Sequence, residues 1–356
     1  QYLGIWMLLC FIFQIFFSYK LVGLITNSIS LRLIGATLFL FSPPMLQRLG
    51  DNTALSSHFL ILAALYLSLK PQNRSDLKSW FYLVIFASLV HFYILAMVMA
   101  LWIAYLVQLM RLQKSLTWID LLAQISIVGA ALLLTCWQLG YFAMGSDISG
   151  SSFHIGSTNL LGIFDSQGWS YFLPGIGDVG EDGGRFINAG RLHESFAFLG
   201  LGLILMLVIG LLGYFKCKSQ FRLLSNDNWP LILTVLAMAL FSLSNDLRIG
   251  PWFHWYFNLP QFLYDFLTTW RSPARLIWPA YYLLTLWIIS LVLRSFTKKV
   301  AFLILSAGLL IQAVDTSAGW MPKRHHLLMR SEIPAVENRH SDFWKAISAN
   351  YQNLVR

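Results

Sequence analysis

Long apolar runs, each cut by a short polar link, recur along the chain, and the lysines before residue 300 fall only in alternate links. Lys20, Lys70, Lys78, Lys114, Lys216, Lys218, Lys298 and Lys299 occupy one set. The other set holds Arg48, Arg185, Arg191, Arg248, Arg271 and Arg275, and no lysine. A soluble fold could not hide so much apolar surface. Of all residues 57% are hydrophobic and only 12% charged, against roughly 25% charged in ordinary soluble domains. The lysine links therefore face the cytoplasm by the positive-inside rule, which puts the arginine links on the opposite side. Arginine's planar fork matches phosphate or carboxylate, which lysine meets as a point charge. The expectation is an all-α, polytopic integral membrane protein with an anion-handling face on its non-cytoplasmic side.

The net charge of +9 does not point to nucleic acid, because the basic residues concentrate in links that face anionic inner-leaflet headgroups. Cys10, Cys136 and Cys217 are scattered, with no metal spacing and no evident disulfide partner. Spans of roughly 17–25 residues give about ten membrane segments, near 3–19, 30–44, 55–69, 80–91, 92–110, 117–140, 196–215, 229–244, 274–293 and 300–316. One helix from Trp80 to Met110 would be about 46 Å long. Basic links flank both of its ends, so a hairpin of two short helices bent near His91 is expected; the rival is one long tilted helix. With ten spans both termini lie outside, and a further helix and loop upstream of Gln1 are expected. An external loop, 141–195, is rich in Gly, Ser and Asp, and a polar external tail covers 317–356, expected to continue further. The tail's Phe343, Trp344, Ile347, Tyr351 and Leu354 have helical spacing suited to a membrane surface.

Four clusters could carry chemistry. Ser42-Pro43-Pro44 ends a span and leaves Arg48 and His58 at an external turn; Arg48 either holds a lipid-linked phosphate or snorkels to headgroups while His58 caps the next helix. His91 and Tyr93 interrupt an apolar stretch, where a polar side chain is costly unless it faces a cavity or partner. Arg271 and Arg275 would share a face if a helix begins near Pro273, and a helix start offers free N–H groups to a phosphate. Glu194 leads into a span; it either orients a hydroxyl or acts as a base, or simply complements the helix dipole. Asp246 and Asp315 are weaker candidates. The Gly-rich stretch 175–184 lacks the Gly-Lys-Ser/Thr of a phosphate loop and reads as a loop.

Taken in order, Gln1-Tyr2-Leu3-Gly4-Ile5-Trp6, Ser42-Pro43-Pro44 with Arg48, the Leu55–Tyr66 run with His58, His91-x-Tyr93, Glu194 before Leu199-Gly200-Leu201-Gly202, and Arg271–Arg275 with Trp278-Pro279 resemble a family of bacterial integral-membrane proteins related to the GT-C glycosyltransferases. Phe92 stands where that family has proline. The resemblance implies a GT-C-like transmembrane domain over 1–316 with the 141–195 loop inserted, in a bacterial inner membrane. It implies transfer of a sugar from a polyprenyl-phosphate donor to an acceptor glycan or protein on the non-cytoplasmic face. Arg48, Arg271 and Arg275 would hold the lipid phosphate, His58 and His91 would support or position, and Glu194 would contact sugar or acceptor. The principal acidic base would lie upstream of residue 1, leaving this piece inactive alone. No cofactor is identified; some relatives need a divalent metal, and no dedicated ligand cluster stands here. Two rivals remain: a transporter or flippase of a lipid-linked or anionic solute, and a non-catalytic assembly subunit whose arginines pair with loop carboxylates such as Asp178, Glu181 and Asp182.

Overall fold

The structure, a computed structural model, describes residues 2–112, 116–140, 153, 156–179, 185–186, 194–217, 228–268 and 270–332. It is mostly helical. The helices are α1 (Tyr2–Gly23), α2 (Ile29–Leu40), α3 (Pro43–Gln47), α4 (Phe59–Leu69), α5 (Asp76–Val90), α6 (Phe92–Val107), α7 (Trp118–Gln138), α8 (Leu201–Cys217), α9 (Trp229–Ser242), α10 (Gln261–Leu267), α11 (Trp278–Ser295) and α12 (Lys298–Glu332). Two short ladders break the all-α expectation: β1 (Asp178–Val179) with β2 (Arg185–Phe186), and β3 (Asp246–Ile249) with β4 (Phe253–Tyr256), both antiparallel.

Among the described residues five helical stretches are long and apolar enough to cross a membrane: Tyr2–Gly23, Phe92–Arg111, Trp118–Gln138, Pro273–Ser295 and Lys298–Met329. The surface agrees. Along α7 only Val128 is buried, while Ile119, Leu122, Leu133, Leu134 and Trp137 are all exposed. A mostly apolar helix so widely exposed needs an apolar solvent. This is consistent with an all-α membrane protein. The shorter apolar helices α2 and α9 fall below the usual spanning length, and α8, at 17 residues, lies at its lower edge.

Local chemistry explains where the helices stop. Pro43 and Pro44 disfavour helical dihedrals at the preceding residue, so α2 ends at Leu40 rather than near residue 44, and Pro43 opens α3. The break at His91 needs no proline. His91 is extended (φ −165°, ψ 137°), and its Nδ1 accepts a hydrogen bond from the Tyr93 N–H at 3.1 Å, capping α6. Helices α5 and α6 pack against each other as the expected hairpin. Thr117 and Asp120 form a reciprocal capping box at the start of α7.

Two boundaries differ from expectation. The segment expected from residue 196 becomes helical only at Leu201, because Gly200 turns the chain at φ +90°. Gln312 of α12 holds this turn: its amide donates to the Leu199 carbonyl at 2.8 Å and its oxygen accepts from the Leu203 N–H at 3.3 Å. The last span does not end at residue 316. It continues as one 35-residue helix to Glu332, with Pro322 inside it, about 52 Å long. The remainder of the 317–356 tail, and its Phe343–Leu354 stripe, lie outside the described residues.

Three of the lysine links lie at one end, while Lys114 and Lys218 are outside the described residues. Lys20 and Lys70 both reach the Tyr66 ring, at 5.4 and 5.7 Å, and Lys298 shares a cleft with Thr26 and Asn27 of the α1–α2 turn. The core lies between α1, α4, α6, α8 and α11. Helices α8 and α12 touch backbone to backbone, since a Cβ on Gly202 would strike the Gly308 carbonyl and one on Gly308 would strike Met206. Small residues allow such approach between apolar helices. Gly202→Val should lower stability in detergent by about 1–3 kcal/mol through overpacking. Leu212→Ala, at an exposed position of the same helix, should leave it unchanged; equal unfolding midpoints for the two variants would sink this account.

Candidate functional site

The site is built from three separated pieces of chain at the end opposite Lys20, Lys70 and Lys298. Helix α3 is buried throughout, and Arg48, the residue that caps its C-terminus, is 1% exposed. Residues Pro273–Ile277 form a tight 3-10 turn that leads into α11 and buries Arg275. Glu194 arrives from the segment ahead of α8. Its Oε2 accepts from Arg275 Nη2 at 2.7 Å and Nε at 2.8 Å, and lies 3.4 Å from Arg48 Nη2. Two guanidinium groups from different elements thus converge on one carboxylate oxygen. Glu194 stands seven residues before α8 begins, so the dipole role drops away.

Aromatic rings hold the guanidiniums in place. Arg275 lies 4.8 Å over the Tyr93 ring and Arg48 5.7 Å from the Trp278 ring, both within cation–π range. Tyr93 is fixed in turn, its hydroxyl accepting from the Ser272 N–H at 2.6 Å. Burial pushes the Arg48 guanidinium down to about 10; Glu194 opposes this and Arg275 adds to it. It remains charged at neutral pH.

Behind Arg48 runs a buried polar chain. The His58 ring packs 4.1 Å from Trp278, and its Nδ1 lies 2.7 Å from the Tyr282 hydroxyl. That hydroxyl also meets Ser42 Oγ at 3.2 Å and accepts from Gln14 Nε2 at 3.3 Å. The second ring nitrogen of His58 is buried with no hydrogen-bond partner among the described residues. His91, at the α5–α6 turn, is half-buried. Its Nδ1 accepts from the Tyr93 N–H, which in a neutral ring leaves the proton on Nε2.

The structure therefore brings Arg48, Arg275 and Glu194 into contact and sets His91 within their field and His58 behind Arg48. Arg271 is different: it is exposed beside the site, outside the ion pairs. The face shared by Arg271 and Arg275 presumed an α-helix from Pro273, and the 3-10 turn, at three residues per turn, removes it. Arg248 is also absent from the site, held by Asp246 in a buried pair at 2.7 Å. Asp315 lies within α12 and is structural, accepting from Ser170 Oγ at 2.7 Å and the Tyr171 N–H at 3.0 Å. Asp178, Arg185, Glu181, Asp182 and Arg191 have side chains outside the described residues. The roles of Trp278 and Tyr282 toward His58 were missed, although their four-residue spacing puts them on one helix face. Among the described residues no group of three or more His, Cys, Asp or Glu could hold a metal ion.

No curated protein and no solved structure matches the chain. A family profile described as Domain of unknown function (DUF6311) matches residues 1–317, and the chain therefore belongs to that family.

Proposed function

We propose that this chain belongs to a membrane glycosyltransferase of GT-C type. It would use a polyprenyl-phosphate-linked sugar on the non-cytoplasmic face of a bacterial inner membrane, with about ten membrane segments. The observation that carries this reading is the convergence of Arg48 and Arg275 on one carboxylate oxygen of Glu194. The position that Oε2 occupies is where an oxygen of a lipid phosphate would sit. Buried, aromatic-backed guanidiniums suit a phosphate better than a lysine pair would. In the reaction an acceptor hydroxyl attacks the anomeric carbon and the bond from that carbon to the phosphate oxygen breaks. The electron pair leaves on the phosphate, and the hydroxyl proton passes to a carboxylate. Arg48 and Arg275 stabilise the leaving phosphate. His91 keeps the Tyr93 turn in place beneath Arg275. Glu194, committed to both arginines, serves as the resident counter-anion that substrate phosphate displaces, rather than as the base. Arg271, exposed at the rim, meets the phosphate on its way in.

Binding of polyprenyl phosphate to the protein in nanodiscs tests this. Removing one charged hydrogen-bond donor costs about 1.5–3 kcal/mol, so Arg48→Ala and Arg275→Ala should each weaken binding about 10- to 100-fold. Arg248→Ala, whose partner is Asp246, should weaken it far less. Wild-type affinity in both site variants, with folding intact, would turn the pair into an internal ion-pair cluster and favour the assembly-subunit reading.

A further inference from the structure

A groove of ≈ 560 Å³ opens between α1, the α2–α3 corner and the extended end of α12. Met7, Phe11, Phe41, Leu49, Trp320 and Leu328 form its walls, and Lys323 and Arg324 stand at its mouth. Its volume falls within the range of about 300–1,000 Å³ usual for small-molecule sites. Arg48 is not among its lining residues, and its guanidinium faces Glu194 instead.

We propose that this groove binds one acyl chain of an anionic glycerophospholipid, with the lipid phosphate on Arg324 and Lys323. The apolar walls alone select nothing, because a bilayer offers any chain an equally apolar medium. Selection has to come from the headgroup, and the charges at the mouth define it. Lys323 pairs with Asp51 at 2.5 Å, whereas Arg324 is exposed and has no ion-pair partner among the described residues. Lys323 and Arg324 outnumber the one carboxylate paired at the mouth, so the mouth is positive. That suits the negative charge of a phosphodiester. A terminal phosphomonoester such as a polyprenyl phosphate approaches two. The site is also placed where such a lipid would be met: α12 carries the two cations beyond Asp315 on a helix too long for a bilayer core of about 30 Å, so the mouth lies at headgroup level. A chain lodged there would fill the space between α12 and α1.

The test uses the detergent-purified protein mixed with equal amounts of phosphatidylglycerol and phosphatidylcholine of matched chains, and native mass spectrometry to count retained lipid. One phosphatidylglycerol should be retained, preferred by about fivefold or more, the size expected for one basic residue near the headgroup. Arg324→Gln should abolish the preference while chain binding persists. Leu328→Trp and Met7→Trp, on opposite walls, should each expel the lipid while the lipid-free unfolding midpoint stays unchanged. Equal retention of the two lipids, wild-type retention by both tryptophan variants, or displacement by an equimolar polyprenyl phosphate would each overturn the proposal. Loss of polyprenyl phosphate binding in the Arg48 and Arg275 variants would leave it untouched.

Discussion

Asp246→Ala is expected to lower the unfolding free energy of the purified protein by about 3–5 kcal/mol, the cost of stranding one member of a buried ion pair. Asp246 opens β3 and is 1% exposed. Arg248, two residues on, lies on the same face of the strand and is 3% exposed. Its Nε and Nη2 donate to the two Asp246 oxygens at 3.1 and 2.7 Å, and His254 Nε2 of β4 lies 2.6 Å from Oδ1. Removing the carboxylate leaves the guanidinium buried without its bidentate acceptor. The damage should spread. The Arg248 carbonyl accepts from the Leu160 N–H at 3.0 Å, and Asn159 Oδ1 accepts from the Gly250 N–H at 2.8 Å. Through this contact the 156–165 segment is pinned to the hairpin. The same segment supplies the Gly156 carbonyl that accepts from Ala274 at 2.8 Å, next to Arg275. Denaturant unfolding in detergent measures the first effect; Asp246→Asn, which keeps one acceptor, should fall between. A change under about 1 kcal/mol would mean that water reaches Arg248 and that the pair is not a structural anchor.

The parts of this molecule legible from sequence are those set by local chemistry. Alternation of lysine and arginine links is such a property, and Lys20, Lys70 and Lys298 do meet at one end. The α5–α6 break was legible because basic links on both flanks forbade a single crossing. Helix limits were less so. The Gly200 turn depends on Gln312, more than a hundred residues away, and no local pattern announces that. The polar run Lys323–His326 reads as the start of a tail, yet it is helical, because a helix extending past an apolar span turns polar for the same reason a tail is polar. Residues Arg248–Phe253, with Gly250-Pro251 between β-prone residues, carry a hairpin signal that is short beside the apolar runs on either side of it. At the site, Arg48 and Arg275 were legible as residue types in unusual positions. Their meeting on Glu194 was not, since it is fixed by the packing of three distant segments. Arg271 shows the cost of assuming an α-helix where a proline opens a 3-10 turn.

Glu194→Ala separates an anion site from a plain ion-pair cluster. In phosphate-free buffer the variant should lose about 2–5 kcal/mol, because truncating one partner of a hydrogen-bonded charge pair leaves the others unpaired. Here two guanidiniums lose the carboxylate they share, Arg48 at 1% exposure and Arg275 at 10% on the side-chain scale; Arg48 keeps the Glu194 main-chain carbonyl at 3.4 Å, but the two positive charges then face each other without the intervening anion. The lower part of that range is expected because Glu194 itself is 26% exposed and water can enter behind it. Adding polyprenyl phosphate should restore stability. A ligand at one hundred times its dissociation constant contributes about 2.7 kcal/mol, comparable to the loss. Its affinity should exceed that for the wild type, since the resident carboxylate no longer competes for the same two forks. A catalytic base with no competing role would leave affinity unchanged on removal. A dipole partner would cost well under 1 kcal/mol at an exposed helix end. A closed internal cluster would be destabilised and gain nothing from the anion. Only displacement by substrate phosphate couples the stability loss to ligand rescue and to tighter binding in the same variant.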